Sequence, residues 1–257
     1  MIGAYVINLD SAQVRRQRIS GQLASLGIPF QIFSAVDGRA LAEEEVARRY
    51  DAEAASTHYR PMSRGEVGCA LSHLGVYRKI LDDGVGFALV LEDDASLGED
   101  LPIVLAELEA QLDSDRAEVV LLSHVDKYTR WGTCSLGGGR KLVRRYGEWW
   151  LAHGYVVTRA AAQQLSDGLQ PLWCAADYWS AFERRGLVAA RAVVPYCIGL
   201  TELAETSSLE THRASLDASD KAQRSIGYYL RRYLYQRFIF QILVRPFLRV
   251  ARQKRPG

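Results

Sequence analysis

Phe87-Ala88-Leu89-Val90-Leu91 runs without a polar residue directly into Glu92-Asp93-Asp94. A short, continuous apolar run is the pattern of a strand buried on both faces, which belongs inside an α/β sheet. Three carboxylates at its end stand where open α/β sheets bind their ligands. Carboxylates are hard oxygen donors suited to Mg2+ or Mn2+, and such ions commonly take one or two carboxylates together with substrate phosphates. Alternate residues of an extended segment face the same way, so Glu92 and Asp94 are expected to hold a metal while Asp93 faces elsewhere or reaches a ribose. Taken alone, the cluster reads equally well as a solvated turn or an acidic helix cap.

The flanking sequence repeats the same grammar. Ala4 to Leu9 is a buried-strand run, Asp10-Ser11 offers a cap, and Val14, Ile19, Leu23 and Leu26 follow at roughly helical spacing until Gly27. Phe30 to Val36 reads as a second strand closed by Asp37-Gly38. Strand, helix, strand is the opening of a parallel α/β sheet. Residues 41–57 suggest an Ala/Glu-rich helix and a polar connection. Ser63 and Glu66 have capping-box spacing ahead of a helix over residues 67–80. Further helices are expected over 101–112, 160–165 and 177–185, and strands over 119–122, 155–157 and 187–196. The glycine-rich, aromatic stretch 126–149 reads as a long loop or hairpin.

Five stretches occur in order: Ile7-Asn8-Leu9-Asp10 with Arg15-Arg16, Ala35-Val36-Asp37-Gly38, Gly65-Glu66-Val67-Gly68-Cys69-Ala70-Leu71-Ser72-His73, Leu91-Glu92-Asp93-Asp94, and Gly154-Tyr155-Val156-Val157. Together they resemble glycosyltransferase family 25, the bacterial lipooligosaccharide galactosyltransferase family that also includes collagen galactosyltransferases. The resemblance covers roughly residues 3–210. It implies a GT-A-like nucleotide-sugar-binding fold with a mostly parallel central sheet and an inverting, metal-dependent transfer. The implied donor is a UDP-sugar, often UDP-galactose. The implied acceptor is a lipopolysaccharide, lipooligosaccharide or other lipid-linked glycan.

Carried over onto this chain, the resemblance makes Glu92 and Asp94 the Mn2+ or Mg2+ ligands. Asn8, Leu9, Asp10, Arg15, Arg16, Asp37, Ser72, His73 and Asp93 become the nucleotide-sugar site. His73 either hydrogen-bonds the nucleotide or orients a carboxylate. Glu66 caps a helix or contacts a sugar, and Cys69 is expected as buried packing. An inverting transfer needs a base opposite the leaving group. Asp177, in the apolar setting Ala175-Ala176-Asp177-Tyr178-Trp179, is the candidate, with a helix cap as its other reading. His153, Tyr155 and Trp179 are weaker candidates for acceptor contacts, and His212 a weak one for a metal shell. The aromatics Trp131, Trp149, Trp150, Trp173, Tyr178 and Trp179 suit the C–H faces of a glycan, or core packing. Trp149 and Trp150 are expected to split, one inward and one outward.

The 257 residues carry a net charge of only +2, which hides a division. All 30 acidic residues lie in 1–220 with 22 basic ones, a net of −8, while 221–257 holds 10 basic and no acidic residues. The division suggests a catalytic domain over 1–220 and a basic, aromatic amphipathic C-terminal helix over 221–257. Arg224, Arg231, Arg245, Arg249 and Arg252 fall near one face of that helix and Pro246 ends or kinks it. Such a segment suits an anionic membrane surface. No recognised nucleic-acid motif accompanies the charge, so nucleic acid is not expected as a partner. The N-terminus lacks signal-peptide features, no apolar stretch is long enough to span a bilayer, and the four cysteines show no CxxC spacing. The expected location is therefore cytoplasmic, peripheral on the inner face of a bacterial inner membrane. A catalytically silent membrane scaffold and a metal-dependent phosphotransferase are the alternatives from other classes.

Overall fold

The computed structural model describes residues 2–58, 60–201 and 250–253. In chain order the elements are β1 (Gly3–Asn8), α1 (Gln13–Ser25), β2 (Phe30–Ser34), α2 (Glu43–Arg49), α3 (Ala52–His58), α4 (Arg64–Asp82), β3 (Phe87–Glu92), β4 (Ala95–Leu97), α5 (Leu101–Gln111) and β5 (Glu118–Leu121). There follow β6 (Lys127–Ser135), β7 (Lys141–Arg145), β8 (Gly154–Thr158), α6 (Arg159–Gly168), α7 (Trp179–Arg184), β9 (Ala189–Val194), β10 (Ile198–Leu200) and β11 (Val250–Arg252).

The main sheet has nine strands in the order β11-β6-β7-β9-β5-β8-β3-β1-β2. β2, β1 and β3 pair in parallel, and so do β5 and β9. β8 enters between β3 and β5 antiparallel to both. Tracing the pairings across, β1, β2, β3, β5, β6 and β9 run one way, and β7, β8 and β11 run against them. The α/β expectation holds, and most strands share one direction. A small second sheet joins β10 to β4.

The side-chain alternation of the central strands explains why both faces are covered. Tyr5, Ile7, Ala88, Val90, Val119, Leu121, Tyr155 and Val157 point into one apolar cluster, with Val67, Leu71, Leu74 and Tyr77 of α4, Leu165 of α6, and Trp179 and Phe182 of α7. Ala4, Val6, Leu89, Leu91, Val120 and Val156 point into the other, against Ile19 and Leu23 of α1 and Leu101, Leu105 and Leu108 of α5. Period-2 alternation with both phases apolar is what a sheet sandwiched by helices requires. Each fully buried side chain of this size contributes about 1.5–3 kcal/mol.

Several local readings differ from the outcome. The α1 cap position is Ala12, with no side-chain cap bond, because the Asp10 carboxylate instead accepts from the Ser34 hydroxyl at 2.8 Å. The 41–57 helix is broken into α2 and α3 by Tyr50 in an extended conformation, bridged to Leu172. The 126–149 stretch is a hairpin, β6 and β7, with a register shift between Thr129 and Cys134. The capping box of α4 forms as expected, Ser63 Oγ accepting from Glu66 N and Glu66 Oε2 from Ser63 N.

The expected C-terminal helix lies outside the described residues except at 250–253. There Val250–Arg252 is an edge strand paired antiparallel with Lys127–Thr129, so Arg252 does not belong to a helical basic face. Ala251 is buried on the sheet while its neighbours are not, the period of a strand. His212 and the arginines Arg224, Arg231, Arg245 and Arg249 are outside the described residues. No helix among the described residues is long and apolar enough to cross a membrane.

Candidate active site

The strand ends β1, β3 and β5 and the start of β8 meet at one edge of the sheet. Strand β3 ends at Glu92, and Asp93-Asp94 form a turn before β4. Strand alternation therefore ends at Glu92, and each acid takes its own direction. Asp93 turns toward β1, where Asn8 Nδ2 donates to its Oδ2 at 2.6 Å and Arg15 approaches its Oδ1 at 3.2 Å. Burial raises the Asp93 pKa, against the Arg15 charge and the Asn8 bond. Glu92 lies 3.3 Å from His73 Nε2.

Asp94 is the anomaly of the cluster. Its Oδ1 is buried without a hydrogen-bond partner among the described residues. Burial, and then the charges of Glu92 and Asp93, push its pKa up to about 7. Buried polar atoms are normally satisfied, so each exception calls for an explanation. A divalent cation fits these residues. It would give Asp94 Oδ1 a partner, offset three crowded negative charges, and find hard oxygen donors in Glu92 and Asp94.

α4 supplies the support behind Glu92. His73 Nδ1 is 2.7 Å from the Tyr155 hydroxyl, which is 2.9 Å from the Tyr77 hydroxyl. With the ring proton on Nε2 toward Glu92, Nδ1 accepts from Tyr155, and Tyr155 accepts from Tyr77. His73 thus contacts a carboxylate, the geometry that one of its two expected roles requires. Cys69, expected as buried packing, is partly buried and packs against the core. Its sulfur, a His73 nitrogen and a Glu92 oxygen lie within 4.8 Å of one another. That mixed set is softer than the oxygen-rich site that Mg2+ or Mn2+ prefers.

Two glycines set the height of α4 against the loop after β2. A Cβ on Gly38 would fall 1.9 Å from the Arg64 carbonyl oxygen, and one on Gly68 2.4 Å from the Gly38 nitrogen. The Val-Asp-Gly and Gly-Glu-Val-Gly stretches are therefore one contact. Ser72 fastens it, donating to the Gly68 carbonyl and accepting from Val36 N at 2.8 Å. Its hydroxyl is committed to the fold. Asp37 is exposed and its carboxylate accepts from Arg39 N. Arg16 is half-buried on α1, and Leu9 contributes its carbonyl to the turn through Ala12 N.

Tyr155 and Trp179 are fully buried, their rings packed edge-on with centroids 4.7 Å apart. Neither presents a surface to an acceptor, because the pairing of β8 and the packing of α7 turn both inward. His153 is also buried, with Nε2 unpartnered among the described residues, and burial lowers its pKa. Ser123 Oγ and His124 Nε2, at the end of β5, are buried and unpartnered in the same sense. The sequence marks these two by the same signal as Glu92-Asp93-Asp94, an apolar strand running into polar residues, although they were not among the expected site residues.

Asp177 is buried and lines a cavity of about 280 Å³ beside the N-terminus of α4. Helix α7 starts at Trp179 with Tyr178 in the cap position and no side-chain cap bond, so Asp177 is not its cap. Trp149 is buried, whereas Trp150 is half-buried, stacked on Tyr178 at 4.0 Å, and faces the cavity. The pair splits as expected.

Residues 1–179 match the family model described as glycosyltransferase family 25 (LPS biosynthesis protein). The chain is 30% identical over 198 residues to the lacto-N-neotetraose biosynthesis glycosyltransferase LgtB of Neisseria meningitidis serogroup B, covering 71% of this chain and 70% of that protein. Its identity to the serogroup A LgtB is 29%, over 71% of this chain and 63% of that one. With the lipooligosaccharide biosynthesis protein lic2B of Haemophilus influenzae it is 27%, over 63% and 61%. The chain thus spans about three fifths to seven tenths of the length of these curated relatives. Among solved structures, a glycosyltransferase involved in glycosylation of the major capsid of PBCV-1 is 11% identical with a TM-score of 0.33, over 65% of this chain and 66% of that one. The fold reading rests on strand order, not on this likeness.

Proposed function

The chain belongs to glycosyltransferase family 25, and from that premise we propose that it transfers a hexose from a nucleotide sugar to a glycan with inversion at the anomeric carbon. The donor is UDP-galactose and the acceptor a lipid-linked glycan of the lipopolysaccharide or lipooligosaccharide type. The observation that carries this reading is Asp94, a half-buried carboxylate with one buried oxygen unpartnered among the described residues, beside two further acids at the end of β3.

Asp177 is the base. Its carboxylate takes the proton of the acceptor hydroxyl as that oxygen bonds to the anomeric carbon and the bond from that carbon to the diphosphate breaks. Glu92 and Asp94 would hold a divalent ion, and the chemistry it supplies when bound is charge neutralisation and Lewis acidity at the leaving diphosphate. Arg15 adds positive charge beside Asp93, and Asn8 fixes the Asp93 carboxylate so that it can accept from a ribose. His73, backed by Tyr155 and Tyr77, holds Glu92 in place. The basic composition of 221–257 supports a membrane partner, which would bring the enzyme to a lipid-linked acceptor.

Calorimetry of UDP with and without Mn2+ tests the donor half. The expected result is metal-dependent heat in the natural chain and its loss in Asp94→Asn. A silent scaffold shows no heat in either, and a phosphotransferase releases phosphate from simple esters without an acceptor sugar.

A further inference from the structure

One face of α4 carries a second set of cation ligands beside the strand-end acids. Cys69, His73 and Tyr77 stand four residues apart on that helix, so their side chains form one stripe. Glu92, at the end of β3, closes against the stripe with Oε1 3.3 Å from His73 Nε2. The Cys69 sulfur, a His73 nitrogen and a Glu92 oxygen all lie within 4.8 Å of one another. Ligand atoms around a tetrahedral zinc, each about 2.0–2.3 Å from the ion, stand about 3.3–3.8 Å apart. The Nε2–Oε1 pair already has that spacing, and the sulfur is a short adjustment away from it.

The surroundings of His73 are those of a metal ligand. It is buried, and its Nδ1 is 2.7 Å from the Tyr155 hydroxyl, itself 2.9 Å from that of Tyr77. Ligating histidines commonly donate their other ring N–H to an oxygen, which fixes the tautomer and the ring. Moving the ring proton from Nε2 to Nδ1 reverses the run of donors. Nδ1 then donates to Tyr155, Tyr155 donates to Tyr77, and the Nε2 lone pair faces the ion. Coordination thereby replaces the long His73–Glu92 contact and requires none of the three groups to be idle beforehand. Neither Cys69 nor Glu92 is fully buried, which gives an ion a way in to the buried imidazole.

We propose that Cys69, His73 and Glu92 form a thiophilic cation site that takes Zn2+ in preference to Mg2+ or Mn2+, with Cys69 giving up its thiol proton to solvent on ligation. Thiolate and imidazole donors favour zinc, while the paired carboxylates of Glu92 and Asp94 favour the harder ions. Glu92 is common to both sets. Zinc in this site therefore withdraws a ligand from the other and opposes metal-dependent UDP binding. This coupling rests on the reading of Glu92 as a ligand of the diphosphate-bound ion; the zinc site itself does not.

Cobalt substitution on the full chain tests the site, because Co2+ takes the place of zinc and reports a thiolate ligand through a near-ultraviolet charge-transfer band. The band appears in the natural chain and in Cys134→Ser, which removes the exposed cysteine, and stoichiometric Zn2+ discharges it. Cys69→Ser loses the band and binds Zn2+ at least about tenfold more weakly, since even an outer partner of a ligand commonly costs about 10–100-fold. On the natural chain, with no substitution made, Zn2+ slows alkylation of Cys69 and Mg2+ does not. Calorimetry of UDP with Mn2+ tests the coupling: stoichiometric Zn2+ lowers the heat at least several-fold in the natural chain and leaves it in Cys69→Ser. A band unchanged in Cys69→Ser, or Cys69 alkylation indifferent to Zn2+, overturns the site. Zinc bound at Cys69 with the UDP heat unaltered overturns the coupling. A natural chain with the cobalt band but no UDP heat under Mn2+ alone supports the site and overturns the transferase reading instead.

Discussion

The surroundings of Asp94 have a thermodynamic signature. Burial and the charges of Glu92 and Asp93 push its carboxyl up to about 7 in the folded chain, against an ordinary carboxylate value of 3.8. The folded state therefore keeps a proton that the unfolded chain releases between about pH 4 and 7. Stability of the cation-free protein consequently falls as pH rises through that window and levels off above it. Thermal melts in EDTA should show this slope in the natural chain and a flatter one in Asp94→Asn. Added Mn2+ should raise the melting temperature most at pH 8, because the ligand must be deprotonated. Tyr155→Phe leaves His73 Nδ1 without its hydroxyl partner and should cost about 1–3 kcal/mol in urea unfolding. It should also weaken metal-dependent UDP binding, an effect that packing alone would not produce.

At the scale of elements, the strand-end acids were legible because an apolar run meeting carboxylates is a local pattern. The α4 capping box was legible for the same reason, since Ser63 and Glu66 are only three residues apart. The contact between Gly38 and Gly68 was not, because it joins the loop after β2 to helix α4 across thirty residues, and only the folded backbone shows that a Cβ on Gly38 would fall 1.9 Å from the Arg64 carbonyl oxygen. Gly38→Ala should destabilise by about 1–3 kcal/mol through overpacking and shift α4 with its Glu66 and His73. The acceptor expectations for Tyr155 and Trp179 failed for a related reason. Aromatic residues next to a site motif look available in sequence, yet strand pleat and helix packing turn these two inward. Trp150 and Tyr178, adjacent in the chain to their buried neighbours, face the cavity instead.

For the molecule as a whole, the charge division now has a structural complication. β11 belongs to the outer edge of the sheet, so deleting residues 221–257 would uncover β6 as well as remove the basic segment. Replacing Arg224, Arg231 and Arg245 by Gln separates the two effects. Co-sedimentation with phosphatidylglycerol-containing vesicles should drop at least several-fold in that variant, with little binding to phosphatidylcholine alone in either protein and UDP heat retained. The near-neutral total charge thereby resolves into an acidic body with a strand-end carboxylate cluster and a basic segment whose composition suits an anionic surface.

The most direct measurement of the central claim is release of UDP from UDP-galactose in the presence of Mn2+ and a hexoside acceptor, comparing the natural chain with Asp94→Asn and Asp177→Asn. The account predicts acceptor-dependent turnover in the natural chain. Both variants should fall by about 100-fold or more, with metal-dependent UDP binding lost in Asp94→Asn and kept in Asp177→Asn. Full turnover in either variant, or UDP release indifferent to metal and acceptor in the natural chain, would contradict it.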